Sequence, residues 1–415
     1  MATALDIAPQ NDNEAGLARQ RETMRGMQRR LVAHLAAGKT TDFAAAPMAL
    51  DASIFADPAR AEAERCALFL AMPMVAGLSC DIPHPGDVMP FDAVDVPILI
   101  VRGKDGVARG FLNACRHRGV RLVKECGRQA RLTCPFHAWT YDLTGKLIGV
   151  PGKAAFEGLD TSELGLVEVP VAEWHGLIFV RAEAGGAPID VEAYLGSMAD
   201  EVRQLDLGAM MPVKKTRIEV GSNWKYAQDT FFESYHFTTL HPNTIAAHAF
   251  GNVMIHDEFG PHQRVMVPQH FWQNWVGMPE EEWPYLPYQG IHLLFPNTIL
   301  WVGNIESMVA GGKGSSSRQV FGVWRAFPGE TPDTSFALMA TYRPADQSSE
   351  QQVADYETLT DFVWKVIADE DYALCRDSQL NLATAPQGHQ IHLGRNEVAL
   401  QAIHRNITER VDALG

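Results

Sequence analysis

Two short segments that each mix sulfur with imidazole constrain this chain most. Cys115-Arg116-His117 is followed, after residues 118–133, by Cys134-Pro135-Phe136-His137. Each segment offers one thiolate and one ring nitrogen, and two such loops can close on one metal centre. Zinc fingers usually keep Cys beside Cys and His beside His. Here each loop holds one of each, so a structural Cys₂His₂ zinc site is the weaker reading. The surrounding pattern is short strands and tight turns. Residues 96–102 are apolar, Lys104-Asp105-Gly106 is a turn, and residues 107–112 follow. Residues 139–143, the Thr144-Gly145 turn and residues 146–150 predict a hairpin, and 176–181 (GLIFVR) predict a buried strand. Both loops thus fall between strands, where a rigid scaffold can aim them. Cys126, between the loops, reads as a free cysteine.

A second constellation lies downstream. Asn223-Trp224-Lys225 opens a stretch that ends in Glu233, His236, His241 and Pro242. Residues 222–239 predict a helix with Ser222 as N-cap and an apolar stripe of Trp224, Ala227, Phe231 and Tyr235. Five residues on an ideal helix leave His236 and His241 roughly 140° apart, so both face one metal only if the helix loosens. Pro242 disfavours helical geometry at His241 and makes a break reasonable. Two His and one carboxylate form the triad that leaves open positions on non-heme Fe(II). Asp369, Glu370 and Asp371 are the candidate acids, within a long helix expected over 350–381.

NACRHRG with CPFHAWTYDLTGKL resembles the Rieske domain of the aromatic-ring-hydroxylating Rieske non-heme iron oxygenases, α subunit. Arg116, Gly119, Pro135 and Trp139 agree with that family as well. The similarity runs from about 76 to about 407 and is dense near 111–151, 222–242 and 369–379. It implies a [2Fe–2S] cluster in which Cys115 and Cys134 hold one iron, and His117 and His137 the outer one. Two imidazoles in place of thiolates raise the potential, to about −150 to +300 mV in such centres. The resemblance further implies a mononuclear Fe(II) on His236, His241 and Asp371, with O₂ as co-substrate. Glu233 is implied as an acid bridging His137 of one subunit to His236 of its neighbour. Many relatives carry Asp there, and Glu is frequent in those acting on quaternary amines. Asp229, one turn back, is a candidate to support the ligands.

The implied fold is α+β: a small all-β Rieske domain, then a larger catalytic domain with an antiparallel sheet and long helices of helix-grip type. The expected divisions are a helical arm over 1–46, the Rieske domain over 47–184 and the catalytic domain over 185–415. In the arm, Met24, Met27, Leu31 and Leu35 recur at helical spacing. Residues 188–207 predict an amphipathic helix and 214–220 a strand. Residues 291–295 and 298–302 predict further strands, 311–317 (GGKGSSS) a hairpin loop rather than a phosphate-binding loop, and a last helix begins near Asn396. Phe250, Phe271, Trp272, Trp275, Leu293 and Phe295 are the expected apolar wall of a small-molecule pocket.

Composition excludes several classes. A net charge of −15 argues against a nucleic-acid surface. The N-terminal sequence lacks the apolar core of a signal peptide, and no stretch is long and apolar enough to span a membrane. A cytoplasmic setting is the default, where six cysteines favour metal binding or burial over disulfides. No G-x-G-x-x-G follows a strand, so electrons are expected from a separate NAD(P)H reductase, with or without a ferredoxin. Inter-subunit transfer wants a closed ring of identical contacts, which favours a homotrimer. The expected function is oxygenation of an aromatic or other apolar small molecule. The alternatives are an N- or O-demethylating monooxygenase and a Rieske electron carrier without oxygen chemistry.

Overall fold

The computed structural model describes residues 10–305 and 318–413, so the expected 311–317 loop lies outside the described residues. The chain divides into two compact units. One comprises 58–196, 207–212 and 407–415; the other comprises 1–57, 197–206 and 213–406. This differs from the expected divisions at both boundaries: the arm and residues 47–57 belong to the same unit as most of the later half of the chain, and residues 185–196, 207–212 and 407–415 belong with 58–184. The arm helix, Gln10–Ala36, buries Met24, Met27, Leu31 and Leu35. Arg30 binds Asp42 (2.7 Å) and Asp257 (2.6 Å), which ties the helix to the strand Ile255–Phe259.

The 58–196 unit is built from small antiparallel sheets. The largest runs Glu168–Val169, Ala108–Leu112, Ile98–Arg102, Asp87–Phe91, Gly127–Arg128. Ile98–Arg102 is buried on both faces, as its unbroken apolar run requires. Leu177–Val180 forms a second sheet with Val171–Trp174 and Met74–Leu78. The predicted hairpin is present as Thr140–Tyr141 and Leu147–Gly149, joined to Leu132–Thr133. Asp142 Oδ1 accepts from the amides of Thr144 (2.8 Å) and Lys146 (3.1 Å) and shapes its turn. Gly145 sits there at φ +85°, and a Cβ would lie 2.5 Å from the Phe111 ring. Only glycine satisfies both demands.

The other unit is organised by a seven-stranded sheet. Its order is Met210–Glu219, Ser335–Pro344, Gln319–Pro328, Thr298–Asn304, Gly290–Leu294, His262–Met266, Ile255–Phe259. From 255 to 344 all neighbours are antiparallel. Met48–Asp51 pairs with Gln390–Leu393 in a separate two-stranded sheet.

Three expected helices differ in detail. Residues 188–207 form two short helices, Val191–Leu195 and Met198–Arg203, because Gly196 takes φ +52° and ψ −129° between them. The 222–239 helix is interrupted: it runs Trp224–Asp229 and resumes only for Phe237–Leu240. Its N-cap is Asn223, not Ser222, with the Asn side chain accepting from Lys225 N, and Tyr235 is 62% exposed rather than part of a buried stripe. The long helix starts at Ser349, whose side chain and that of Gln352 satisfy each other's amides, and holds Glu350–Val366. A π-helical turn, Ile367–Asp371, then precedes Tyr372–Ala383. The final helix is Val398–Asp412.

Candidate functional site

The two Cys/His loops are built alike. Cys115 N donates to Val120 O and Gly119 N to Cys115 O, both at 2.8 Å. Cys134 N donates to Trp139 O (2.8 Å) and Ala138 N to Cys134 O (3.0 Å). The residue four places after each cysteine is left-handed, Gly119 at φ 74° and Ala138 at φ 58°. The matching backbone turn absorbs the one-residue difference between C-x-H and C-x-x-H. Both thiols are buried at 3% exposure, within a core of Leu132, Trp139, Tyr141 and Phe111. The imidazoles turn the other way: His137 is exposed and His117 half-buried, with ring centroids 4.7 Å apart. Trp139 stacks on His117 at 5.0 Å. Sulfur with sulfur inside and imidazole with imidazole outside suits a two-iron cluster carrying different donors on each iron. Tyr141 OH lies 3.4 Å from Cys115 Sγ and accepts from Arg116 N (2.9 Å). Burial pushes its phenol pKa up, so it stays a neutral donor toward the sulfur.

The second site is assembled from distant elements. His236 begins the short turn Phe237–Leu240 and His241 ends it, so the interrupted helix provides the rotation that an unbroken one lacks. Their ring centroids are 5.0 Å apart. Asp371 arrives at the end of the π-helical turn, buried to 6% exposure. Its Oδ1 is 3.2 Å from His241 Nε2 and 3.5 Å from His236 Nε2. One donor atom from each of the three lies within 4.8 Å of the others, which fits a divalent cation.

The opposite nitrogen of each ring is held by a carboxylate. His236 Nδ1 contacts Glu233, which also accepts from His236 N at 3.2 Å. His241 Nδ1 contacts Glu370 at 2.6 Å, and Thr244 Oγ1 donates to the same Glu370 oxygen (2.9 Å). Carboxylates on Nδ1 leave Nε2 free for metal and fix the ring orientation. Burial lowers the His241 pKa, but Asp371 and Glu370 outweigh it and hold the imidazole above its ordinary value. The three acids thus separate: Asp371 points inward, Glu370 backs His241, and Asp369 pairs with Lys365 at the surface (2.7 Å). The roles of Glu370 and Thr244 were not legible in the sequence; the only signal for Glu370 was adjacency to Asp371. Asp229 is buried and its Oδ2 accepts from His404 Nε2 at 2.9 Å, on the final helix. It does not border the cavity beside the triad.

That cavity measures about 200 Å³. His236, His241 and Asp371 form one end; Phe231, Met254, Ile291, Trp301 and Trp324 are among its walls. None of the six residues expected to wall it does so. Trp275 stacks on Trp272 and on Trp283 and meets Phe271 edge-on, so these rings form a cluster of their own. Phe250 lies against His270 and beneath Lys39 Nζ. Leu293 and Phe295 are packed solid, at 0% and 1% exposure, where the space has closed.

Residues 72–170 match a Rieske [2Fe–2S] domain, and 207–413 match the catalytic domain of ring-hydroxylating α subunits. The glycine betaine monooxygenase oxygenase subunit of Pseudomonas aeruginosa is 32% identical over 173 residues, 41% of this chain and 40% of that one. The biphenyl 2,3-dioxygenase α subunit of Rhodococcus jostii is 35% identical over 206 residues, 48% and 44%. The chain therefore spans less than half the length of these relatives. The fold is shared with the quaternary ammonium Rieske monooxygenase CntA, with TM-score 0.70 at 20% identity over 91% of this chain and 98% of that one. Naphthalene 1,2-dioxygenase from Rhodococcus sp. gives TM-score 0.67 at 18% identity over 94% and 98%. The Rieske domain implies a [2Fe–2S] cluster, and the catalytic domain a mononuclear non-heme iron. With both domains in one polypeptide, the chain belongs to the Rieske non-heme iron oxygenases of the ring-hydroxylating α-subunit family.

Proposed function

We propose that this chain is a terminal oxygenase component that hydroxylates an aromatic or other apolar small molecule. The observation that carries the reading is the convergence of His236 Nε2, His241 Nε2 and Asp371 Oδ1 at the end of an apolar cavity. In this reading Cys115 and Cys134 hold the inner iron of the cluster, His117 and His137 the outer one, and the triad holds Fe(II). When bound, the cluster supplies single electrons and the mononuclear iron supplies the centre for O₂ chemistry. The side chains do the rest. Glu233 and Glu370 keep both ligand rings on their Nε2 face. The apolar walls exclude water and hold the substrate beside the triad. Glu233 is the link between His236 and His137 of a neighbouring copy in a homotrimer. A separate NAD(P)H reductase, with or without a ferredoxin, delivers electrons in the cytoplasm. No helix among the described residues is long and apolar enough to cross a membrane.

A second reading, demethylation of a quaternary amine, has the Glu at 233 and the glycine betaine monooxygenase relative in its favour. A product screen under O₂ with a surrogate reductase separates the two. Phenols or diols support hydroxylation, and formaldehyde supports demethylation. Purified protein with a reducible cluster, no second iron and no product would leave only an electron carrier.

A further inference from the structure

The arm helix has two working sides. One is fixed: Met24, Met27, Leu31 and Leu35 are buried, and Arg30 is held by Asp42 and Asp257. The other carries Arg21, Arg25 and Arg29, each four residues after the last, so the three guanidinium groups lie along one side. They meet a single segment in reverse order. Arg21 lies over the Tyr285 ring (5.3 Å) and Arg25 over the Trp283 ring (5.7 Å). Arg29 Nε and Nη2 donate to the two Glu280 oxygens, each at 2.8 Å. The segment therefore runs antiparallel to the helix.

That segment belongs to the connection between His262–Met266 and Gly290–Leu294, antiparallel neighbours that a turn of about two to five residues could join. Instead, residues 267–289 leave the sheet and return, and both limbs border the cavity: Val267 and Gln269 on the way out, Gln289 on the way back. Between them the backbone does little to hold itself. Gly277 is left-handed, prolines stand at 279, 284 and 287, and the amides of Trp272, Val276, Met278, Glu282 and Trp283 each bond three residues back. Side chains do the holding. Trp283 stacks on Trp275 (6.0 Å) and Trp275 on Trp272 (4.8 Å), so Arg25 caps a column of three indoles. The amide of its inner member, Trp272, donates to Gln269 O (3.0 Å), on the cavity wall.

The column is held without being locked. The Arg29 and Glu280 side chains are 48% and 40% exposed, and exposed ion pairs and cation–π contacts are each weak. Arg25 Nη1, Trp272 Nε1 and Gln269 Oε1 are buried with no hydrogen-bond partner among the described residues, a cost that the seated arrangement carries and an open one sheds. Resting on the reading of this cavity as the substrate site, we propose that the arm helix is a strap. Arg21, Arg25 and Arg29 hold the 267–289 wall of the cavity closed, and releasing them opens it. The three arginines are positioning residues that act on the wall through the indole column.

The test is charge reversal on the full-length chain, read in two ways. One is hydrogen–deuterium exchange of the amides over 271–286. The other is the rate at which iodoacetamide alkylates position 289 in a Gln289→Cys background, with the label located by peptide mass mapping; Val267→Cys takes its place if that variant does not fold. Arg29→Glu and Glu280→Arg should each speed both readouts about fivefold, and the two reversals combined should restore them. Arg25→Gln, a milder change, should act in the same direction as the single reversals. Unchanged exchange in both single reversals would overturn the proposal. So would faster exchange with unchanged alkylation of the wall, or a combined reversal that behaves like the single ones. Neither readout needs metal, O₂ or substrate. Absence of oxygenated product would therefore remove the oxygenase reading alone, and an unresponsive wall would remove this proposal alone.

Discussion

In the proposed assignment, the cluster loops and the iron triad solve one problem, holding metal with few side chains, by opposite means. The loops at 115–120 and 134–139 are local objects. Each is one turn, closed by two backbone hydrogen bonds around its own cysteine. The triad is a long-range object: His241 and Asp371 are separated by 130 residues and meet only after a helix has broken and another has widened by one residue per turn. Local sites depend on backbone conformation. Long-range sites depend on buttresses, here Glu233 and Glu370.

Four substitutions and one deletion sharpen that contrast. Cys134→Ala and His241→Ala should give complementary total losses. The first removes the visible absorption and the reduced-state paramagnetic signal of the cluster, and the second removes mononuclear iron and turnover while the cluster spectrum persists; metal analysis with spectroscopy reads both. Next, deleting Ala368 from the π-helical turn should rotate Asp371 about 100° away from the two imidazoles. Bound mononuclear iron should fall to near zero without loss of the cluster, and wild-type iron content would show that the turn does not set the ligand's phase. Glu370→Gln keeps the shape but weakens the buttress on His241. Iron affinity measured against a chelator should drop about 10- to 100-fold. The smallest effect belongs to the local site. Ala138→Gly relieves a left-handed alanine and should raise denaturant stability by about 1 kcal/mol, less the entropy glycine adds to the unfolded chain.

The same contrast explains what could be read in advance. The two turns that carry the proposed cluster ligands were legible because spacing within six residues nearly determines a turn. The two histidines were legible as residue types, but the interruption over 230–236 was not, because Trp224, Ala227 and Phe231 follow helical periodicity straight into it. Asp371 was preferred over Glu370 through the family resemblance; what turns it inward is the phase of a π-helical turn, which periodicity at 3.6 residues cannot supply. The cavity wall was misplaced for a plainer reason. Aromatic richness over 271–275 marks apolar surface, but packing decides whether that surface meets a void or other aromatic rings, and here Trp283 fills the space.

The division of the chain has a consequence for biogenesis. Residues 58–196 form most of one unit, and they interrupt a unit whose strand 48–51 must find its mate at 390–393. On a ribosome the inserted stretch emerges whole while the host still lacks the segment that bears Asp371. The sulfur–imidazole loops can therefore mature early, on sheets whose strands all lie between 74 and 180, whereas the proposed iron triad has no third ligand until Asp371 has been made. Stalled or truncated translation products should accordingly be coloured but inactive.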